Sequence, residues 1–92
     1  MKLPEISSYG QYSSDNYGVN SLKVTFNNFT LYYSYDTIVA YDDVGDGLVC
    51  SENVWTVTTG KHLNWVQPDK KSRVPYGVFE VKLREMLERR TK

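Results

Sequence analysis

The sequence contains one cysteine and no long apolar run. Cys50 has no second cysteine with which to form a disulfide, whereas small secreted domains usually contain several. No apolar stretch approaches the roughly 20 residues that a membrane-spanning helix needs, and the opening residues Met-Lys-Leu-Pro-Glu lack the apolar segment of a signal peptide. We therefore expect a cytoplasmic protein without a membrane partner.

Basic residues are absent from the middle of the chain. No lysine, arginine or histidine lies between Lys23 and Lys61. That interval contains five acidic residues, which are Asp36, Asp42, Asp43, Asp46 and Glu52. From Lys61 to Lys92, nine basic residues face four acidic ones. The formal net charge of zero therefore hides two oppositely charged segments, and such segregation bears on docking rather than on the fold.

The length limits the number of domains. A chain of 92 residues is too short for two separate cores, so we expect one small domain spanning residues 1–92. Eight tyrosines raise the aromatic share to 14%, and these large side chains can supply burial that the aliphatic residues do not.

Residues 7–20 form a stretch rich in serine, glycine, asparagine and tyrosine. Two interpretations are open. The rings of Tyr9, Tyr12 and Tyr17 could form an adaptable contact surface for a partner. Alternatively, the stretch is an irregular arm or an edge strand whose tyrosines lie over the core, because tyrosine is commonly half buried with its hydroxyl in water.

Alternation of apolar and polar residues predicts an antiparallel sheet of four to five strands. Leu22, Val24 and Phe26 alternate with polar residues, as in a strand with one buried face. Asn27-Asn28 then suits a tight hairpin, because asparagine tolerates a positive φ. Turn-forming residues separate further β-type segments at residues 29–35, 38–41, 48–50 and 54–57.

Two helices are predicted in the last third of the chain. Thr58 or Thr59 can cap a short helix near residues 59–67, which Pro68 would end. A second helix should begin at about Tyr76. Its apolar residues recur at helical spacing, at Phe79, Leu83, Met86 and Leu87.

The C-terminal helix also has a favourable charge pattern. Glu80–Arg84 and Glu85–Arg89 are spaced for ion pairs within the helix. Its apolar stripe needs a surface to cover, and the apolar face of the sheet is the only large one that the sequence predicts. We therefore expect the C-terminal helix to pack on one face of the sheet, which gives a small α+β domain.

The sequence gives only weak signals for catalytic or metal-binding residues. Cys50 and His62 are the only residues of their types and could supply a thiol nucleophile with its base. A lone cysteine after Leu48-Val49, in a strand, is more commonly a small buried hydrophobic residue. The chain has too few such ligands for a closed zinc site, and its acidic loop lacks the EF-hand spacing. We expect no catalytic residue, no metal site and no cofactor.

Two charged surfaces could bind a macromolecule. Lys61, Lys70, Lys71 and Arg73, with Trp65 nearby, could hold a phosphate backbone while stacking a base. A pI near 6.6 and the acidic middle segment count against nucleic acid. The acidic residues could instead compete for the basic groove of a protein, although charges that keep a sheet edge from aggregating are a simpler explanation.

Three stretches, residues 8–18, 33–37 and 52–65, resemble a family of short proteins encoded by bacteriophages and other mobile elements. The resemblance covers most of the chain. No activity is established for that family, so the resemblance gives no residue a catalytic or binding role. It implies a context, because small phage proteins often bind a host protein, including components of antiviral defence, and are frequently dimeric.

These observations predict a non-enzymatic interaction protein that binds a host macromolecule in the host cytoplasm. A defence or regulatory protein is the expected class of partner, as for an anti-CRISPR inhibitor, and the tyrosine-rich edge would permit a homodimer. The partner-binding role is assigned to Asp42, Asp43, Asp46, Glu52, Tyr9, Tyr12 and Tyr17. The alternative is a small nucleic-acid-binding protein that uses Lys61, Trp65, Lys70, Lys71 and Arg73.

Overall fold

The computed structural model describes residues 4–9 and 21–91 of the chain. These residues form a five-stranded antiparallel sheet in which each strand pairs with the next one in the sequence. Two helices follow the sheet, which confirms the predicted α+β class. The elements are β1 (Glu5–Ser8), β2 (Ser21–Thr25), β3 (Phe29–Ser34), β4 (Thr37–Asp43), β5 (Gly47–Cys50), α1 (Val57–Val66), a 3₁₀ turn (Lys70–Ser72) and α2 (Tyr76–Arg90).

The strand predicted at residues 54–57 does not form. Asn53 accepts a hydrogen bond from the Trp55 amide at 3.0 Å, and Thr56 caps α1 by accepting from the Thr59 amide at 3.3 Å. These local bonds turn the chain into a helix and override the β propensity of Val-Trp-Thr-Val. As a result, α1 begins two residues before the predicted start.

The fifth strand is instead β1, which pairs with β2 at the edge of the sheet. It overlaps the tyrosine-rich stretch at Ser7 and Ser8, so the edge-strand interpretation holds for these two residues. Residues 10–20 of that stretch lie outside the described residues.

Short turns join β2 to β3, β3 to β4 and β4 to β5. The β2–β3 hairpin closes at Asn27-Asn28, as predicted, with the Phe26 amide donating to the Phe29 carbonyl at 2.8 Å. We expected a positive φ at the asparagines, but neither Asn27 nor Asn28 has one. Among the described residues, a positive φ occurs at Tyr35 (φ 58°) and Gly47 (φ 76°). Glycine adopts this left-handed conformation without steric cost, whereas the same conformation costs a tyrosine residue on the order of 1 kcal/mol.

The main core lies between α2 and one face of the sheet. Phe79 and Met86 of α2 are almost fully buried against the sheet, and Leu83 and Leu87 pack there with partial burial. The sheet contributes four buried side chains, Phe29, Leu31, Tyr41 and Val49. The helical stripe predicted from the sequence therefore covers the sheet as expected.

The other helix, α1, covers the opposite face of the sheet. Leu63 of α1 is fully buried and packs with Val39, Ala40 and Cys50. Because Ala40 and Tyr41 are neighbours on β4, they point to opposite faces, and the sheet lies between the two helices. Neither helix of the described residues has the length and hydrophobicity needed to span a bilayer.

The ion pairs predicted within α2 do not form among the described residues. Arg89 pairs with Asp43, at the end of β4, and with Asp46, in the turn that follows, instead of with Glu85. No ion pair joins Glu80 to Arg84 in this part of the chain. The buried carboxylate of Asp43 thus competes successfully with an exposed partner one helical turn away, because exposed pairs contribute little.

Candidate functional site

The acidic turn between β4 and β5 is neutralised by the end of α2. The Asp43 side chain is fully buried, and its Oδ1 atom accepts a hydrogen bond from Nε of Arg90 at 2.8 Å. Its Oδ2 atom accepts from the amides of Gly45 and Asp46, both at 2.9 Å, and lies 3.3 Å from Nη2 of Arg89. The hydrogen bond from Arg90, with those from the two amides, holds the pKa of the Asp43 carboxyl well below its usual range.

Asp46 belongs to the same cluster. Its Oδ2 atom lies 3.2 Å from Nη2 of Arg89 and accepts a hydrogen bond from the Tyr41 hydroxyl at 3.0 Å. Burial and the hydrogen bond to Asp46 raise the pKa of Tyr41, so its hydroxyl remains a donor. The two charged segments of the sequence thus meet within one molecule. We call Asp43, Asp46, Arg89 and Arg90 the arginine clasp.

This arrangement removes part of the predicted acidic docking surface. Asp43 is buried, so the expectation that its carboxylate faces a partner is wrong. Asp46 is ion-paired, Asp42 is exposed on β4, and Glu52 lines a separate cleft described below. The four residues therefore do not form one exposed acidic set. Within the described residues, no group of three or more histidine, cysteine, aspartate or glutamate side chains could hold a metal ion.

Tyr9 is part of the core rather than an exposed contact. It is 8% exposed, and its hydroxyl donates to the Tyr33 carbonyl at 2.7 Å. Its ring packs edge-on against Tyr32, with 5.4 Å between the ring centroids. This position matches the interpretation in which the tyrosines lie over the core. Tyr12 and Tyr17 lie outside the described residues.

A buried polar network joins α1 to the end of β3. The Ser34 hydroxyl lies 2.7 Å from Nδ1 of His62 and 2.9 Å from Oγ1 of Thr59. Ser34 is 2% exposed and His62 is 0% exposed, so this serine–histidine pair is closed to a substrate and fixes α1 on the sheet. The sequence reasoning missed it, although Thr59, His62 and Leu63 have the spacing of a single helix face.

Cys50 and His62 do not form the thiol–imidazole pair considered from the sequence. The Sγ atom of Cys50 lies 3.6 Å from the Ser51 carbonyl, whereas Nδ1 of His62 bonds to Ser34. Burial raises the pKa of the Cys50 thiol to about 11. The thiol is therefore protonated at neutral pH and packs as a small hydrophobic residue.

Three of the predicted basic residues converge on one cleft of about 450 Å³. Three segments line this cleft: the segment that follows β5, helix α1, and the 3₁₀ turn with the residue after it. Its described lining contains the cations Lys61, Lys70 and Arg73 and the carboxylate of Glu52. The remaining described lining residues are Asn53, Val57, Gly60 and Asn64. We call this site the basic cleft.

Hydrogen bonds fix the arginine of the basic cleft. Nε and Nη2 of Arg73 donate to the Gln67 carbonyl at 3.0 and 2.8 Å, and Nη2 also donates to Oδ1 of Asn64 at 2.9 Å. The next residue, Val74, forms a parallel bridge with Ser51 and so attaches this segment to the sheet. The guanidinium is thus oriented before any ligand arrives.

Local sequence features shape the cleft walls. Asp69 caps the 3₁₀ turn by accepting a hydrogen bond from the Lys71 amide at 3.0 Å, and this turn carries Lys70 to the cleft. On the opposite wall, a Cβ atom at Gly60 would lie 2.9 Å from Nδ2 of Asn53. A larger residue at position 60 would therefore displace the side-chain amide of Asn53.

The other two residues of the predicted nucleic-acid set lie outside the cleft lining. Lys71 is exposed in the 3₁₀ turn. Trp65 is 51% exposed and follows Lys61 by one turn of α1. The structure thus brings together Lys61, Lys70 and Arg73 but leaves Trp65 beside the cleft rather than in it.

Comparison with known proteins identifies a family. Residues 1–81 match the family described as "Family of unknown function (DUF8033)". Since this match covers most of the chain, the protein belongs to that family. No curated protein and no solved structure matches the chain. The family match ends within α2, before the two arginines of the arginine clasp.

Proposed function

We propose that this family member is a non-enzymatic interaction protein that binds a host protein through the basic cleft. The resemblance to bacteriophage and mobile-element proteins supplies the context, in which a defence or regulatory protein of the host is the target. The partner would present an acidic segment, because three cations line the cleft against one carboxylate. The basic cleft thus replaces the acidic residues as the proposed docking surface.

The main observation behind this proposal is that Lys61, Lys70 and Arg73 line the same cleft. The three cations come from α1, from the 3₁₀ turn and from the residue after that turn. Arg73 is held by its bonds to Asn64 and Gln67, so it loses little conformational freedom when a carboxylate binds. The exposed lysines beside it would speed the encounter with an acidic partner.

The mixed lining of the cleft favours a protein as the partner. The side-chain amides of Asn53 and Asn64 can exchange hydrogen bonds with the backbone of a polypeptide. Val57 lines the same cleft and is 79% exposed, which offers apolar contact area. A compact site with charged, amide and apolar groups suits a short acidic peptide segment.

Nucleic acid remains a second candidate because of Trp65. Its ring is 51% exposed and lies one helical turn from Lys61, close enough for one strand to contact a cation and stack a base. The chain's net charge of zero weighs against this candidate. Single-stranded DNA or RNA would be the ligand.

Charge reversal in the cleft tests the proposal once a partner has been captured from host lysate and purified. Lys61→Glu with Lys70→Glu should weaken binding by more than about tenfold, since two attractive charges become repulsive. Lys71→Glu with Lys82→Glu is the matched control, because both lysines are exposed, lie outside the cleft lining and give the same change in net charge. Equal weakening by the two pairs would contradict the assignment of the cleft.

Nucleic acid binding is measured separately with labelled single-stranded DNA and RNA at several salt concentrations. The second candidate predicts a steep loss of affinity with salt and a further loss on Trp65→Ala. The protein-binding proposal predicts a partner complex that survives nuclease treatment and tolerates Trp65→Ala. A partner that is released by nuclease would favour the second candidate.

A further inference from the structure

A groove runs along α2, apart from the basic cleft. Two concavities, of about 380 Å³ and about 390 Å³, share Leu87 and Thr91 in their described lining. The first also contains Leu83, and the second extends to Pro4 and Phe26 beside the sheet. Leu83 and Leu87 are only partly buried against the sheet. The apolar side of α2 therefore extends beyond its contact with the sheet and into the groove.

Charged residues border this groove in a regular pattern. Glu80, Arg84 and Glu88 are exposed, line the first concavity and are spaced four residues apart. In the described part of the chain, none of the three forms an ion pair. The lining residues Glu80, Arg84, Leu87 and Thr91 alternate spacings of four and three residues, so they lie along one face of α2.

We propose that α2 of a second copy of this chain occupies the groove, in an antiparallel homodimer. A two-fold axis level with the turn between Arg84 and Glu88 would place Arg84 of each copy opposite Glu88 of the partner subunit. Two identical ion pairs would then form, one on each side of the axis, with the apolar side chains of Leu83 and Leu87 beside them. This self-complementarity is what a two-fold symmetric interface requires.

The charges also select the orientation of the two helices. A parallel pair in register would bring Arg84 against its own copy and each glutamate against its own copy, which is repulsive. The antiparallel arrangement removes these contacts. Phe26, which is 37% exposed in the second concavity, would add apolar area near the end of α2.

Sedimentation equilibrium across a wide concentration range tests the dimer. The wild-type chain should shift from monomer to dimer as its concentration rises. Arg84→Glu and Glu88→Arg should each weaken self-association by about tenfold or more, because each places like charges opposite each other. Lys82→Glu is the control, since Lys82 is exposed on α2, lies outside the groove lining and should leave the dimer unchanged.

Charge exchange separates this interface from other modes of association. An equimolar mixture of the Arg84→Glu and Glu88→Arg chains should form a heterodimer with the wild-type affinity, because both ion pairs form again, one of them with reversed polarity. Circular dichroism verifies that each variant is folded. A wild-type chain that stays monomeric at all concentrations would overturn the proposal and leave the groove to a different protein. A dimer insensitive to all these changes would also overturn it.

Discussion

Nε of Arg90 donates to Oδ1 of Asp43 at 2.8 Å, across 47 positions of the sequence. This bond connects the end of α2 to the end of β4, where the carboxylate is completely buried. Asp43 also accepts from the amides of Gly45 and Asp46, so one side chain both shapes the turn and fixes the helix. The charge segregation of the sequence is therefore used, at least in part, inside the fold.

Asp43→Asn should destabilise the domain by about 2 kcal/mol at neutral pH, because hydrogen bonds to a charged, buried group are lost or weakened. Chemical denaturation followed by circular dichroism measures the change in the free energy of unfolding. Asp42→Asn is the matched control, since Asp42 is the exposed neighbour on β4 and should cost less than about 0.5 kcal/mol. Equal losses would show that the arginine clasp contributes nothing to stability.

The depressed pKa of Asp43 also predicts how the stability of the domain depends on pH. The folded-state pKa of Asp43 is depressed below the unfolded value, so its contribution is present above the unfolded pKa of about 4 and is lost as the pH falls towards the folded pKa. The gap in unfolding free energy between wild type and Asp43→Asn should therefore narrow as the pH falls from about 5 to about 2. A gap that stays constant over this range would contradict the depressed pKa.

Local patterns explain why much of the fold was predictable. The alternation around Val24, the Asn27-Asn28 hairpin and the spacing of Phe79 and Met86 all depend on residues a few positions apart, and each is found in the structure. The prediction at residues 54–57 failed because β propensity there competes with the capping side chain of Thr56. The sequence pattern alone did not reveal which preference prevails.

The candidate sites were less accessible to sequence reasoning because they depend on distant contacts. Spacing within α2 paired Arg89 with Glu85, but folding provides Asp43 as a better-buried partner. Charge counting selected Lys61, Lys70 and Arg73, yet their convergence depends on the 3₁₀ turn and on the bridge between Ser51 and Val74. The residue types were visible in the sequence, while their grouping was not.

Met86→Ala should destabilise the domain by about 3 kcal/mol, because Met86 is fully buried between α2 and the sheet and truncation leaves a cavity. Leu83→Ala should cost less, about 1 to 2 kcal/mol, since Leu83 is only partly buried. Val81→Ala, at a position 53% exposed on the same helix, is the control and should change stability by less than about 0.5 kcal/mol. The order of the three losses, measured by denaturation, is the test.

Ser34→Ala should destabilise the domain by about 2 kcal/mol, because it removes hydrogen-bond partners from the buried His62 and Thr59 side chains. Ser7→Ala is the control, since Ser7 is exposed on β1 and should be nearly neutral. Thermal unfolding compares the two variants. A loss no greater than that of the control would mean that the network does not hold α1 on the sheet.

Cys50 should react slowly with a thiol reagent at neutral pH. The side chain is 1% exposed and burial raises its pKa to about 11, so both access and the thiolate fraction are low. Labelling should accelerate sharply in denaturant, where the thiol is exposed with its ordinary pKa. Rapid labelling of the folded chain at neutral pH would contradict the buried position and revive the thiol nucleophile as a hypothesis.

The raised pKa of Cys50 also predicts a loss of stability in alkali. The folded state disfavours the thiolate, so wild type should lose stability relative to Cys50→Ala as the pH rises from the ordinary thiol pKa, about 8.5, towards about 11. Below that window, the two chains should differ by a constant amount that reflects packing alone. Denaturation curves at several alkaline pH values measure the difference, and a constant difference throughout the window would mean that Cys50 titrates as an exposed thiol.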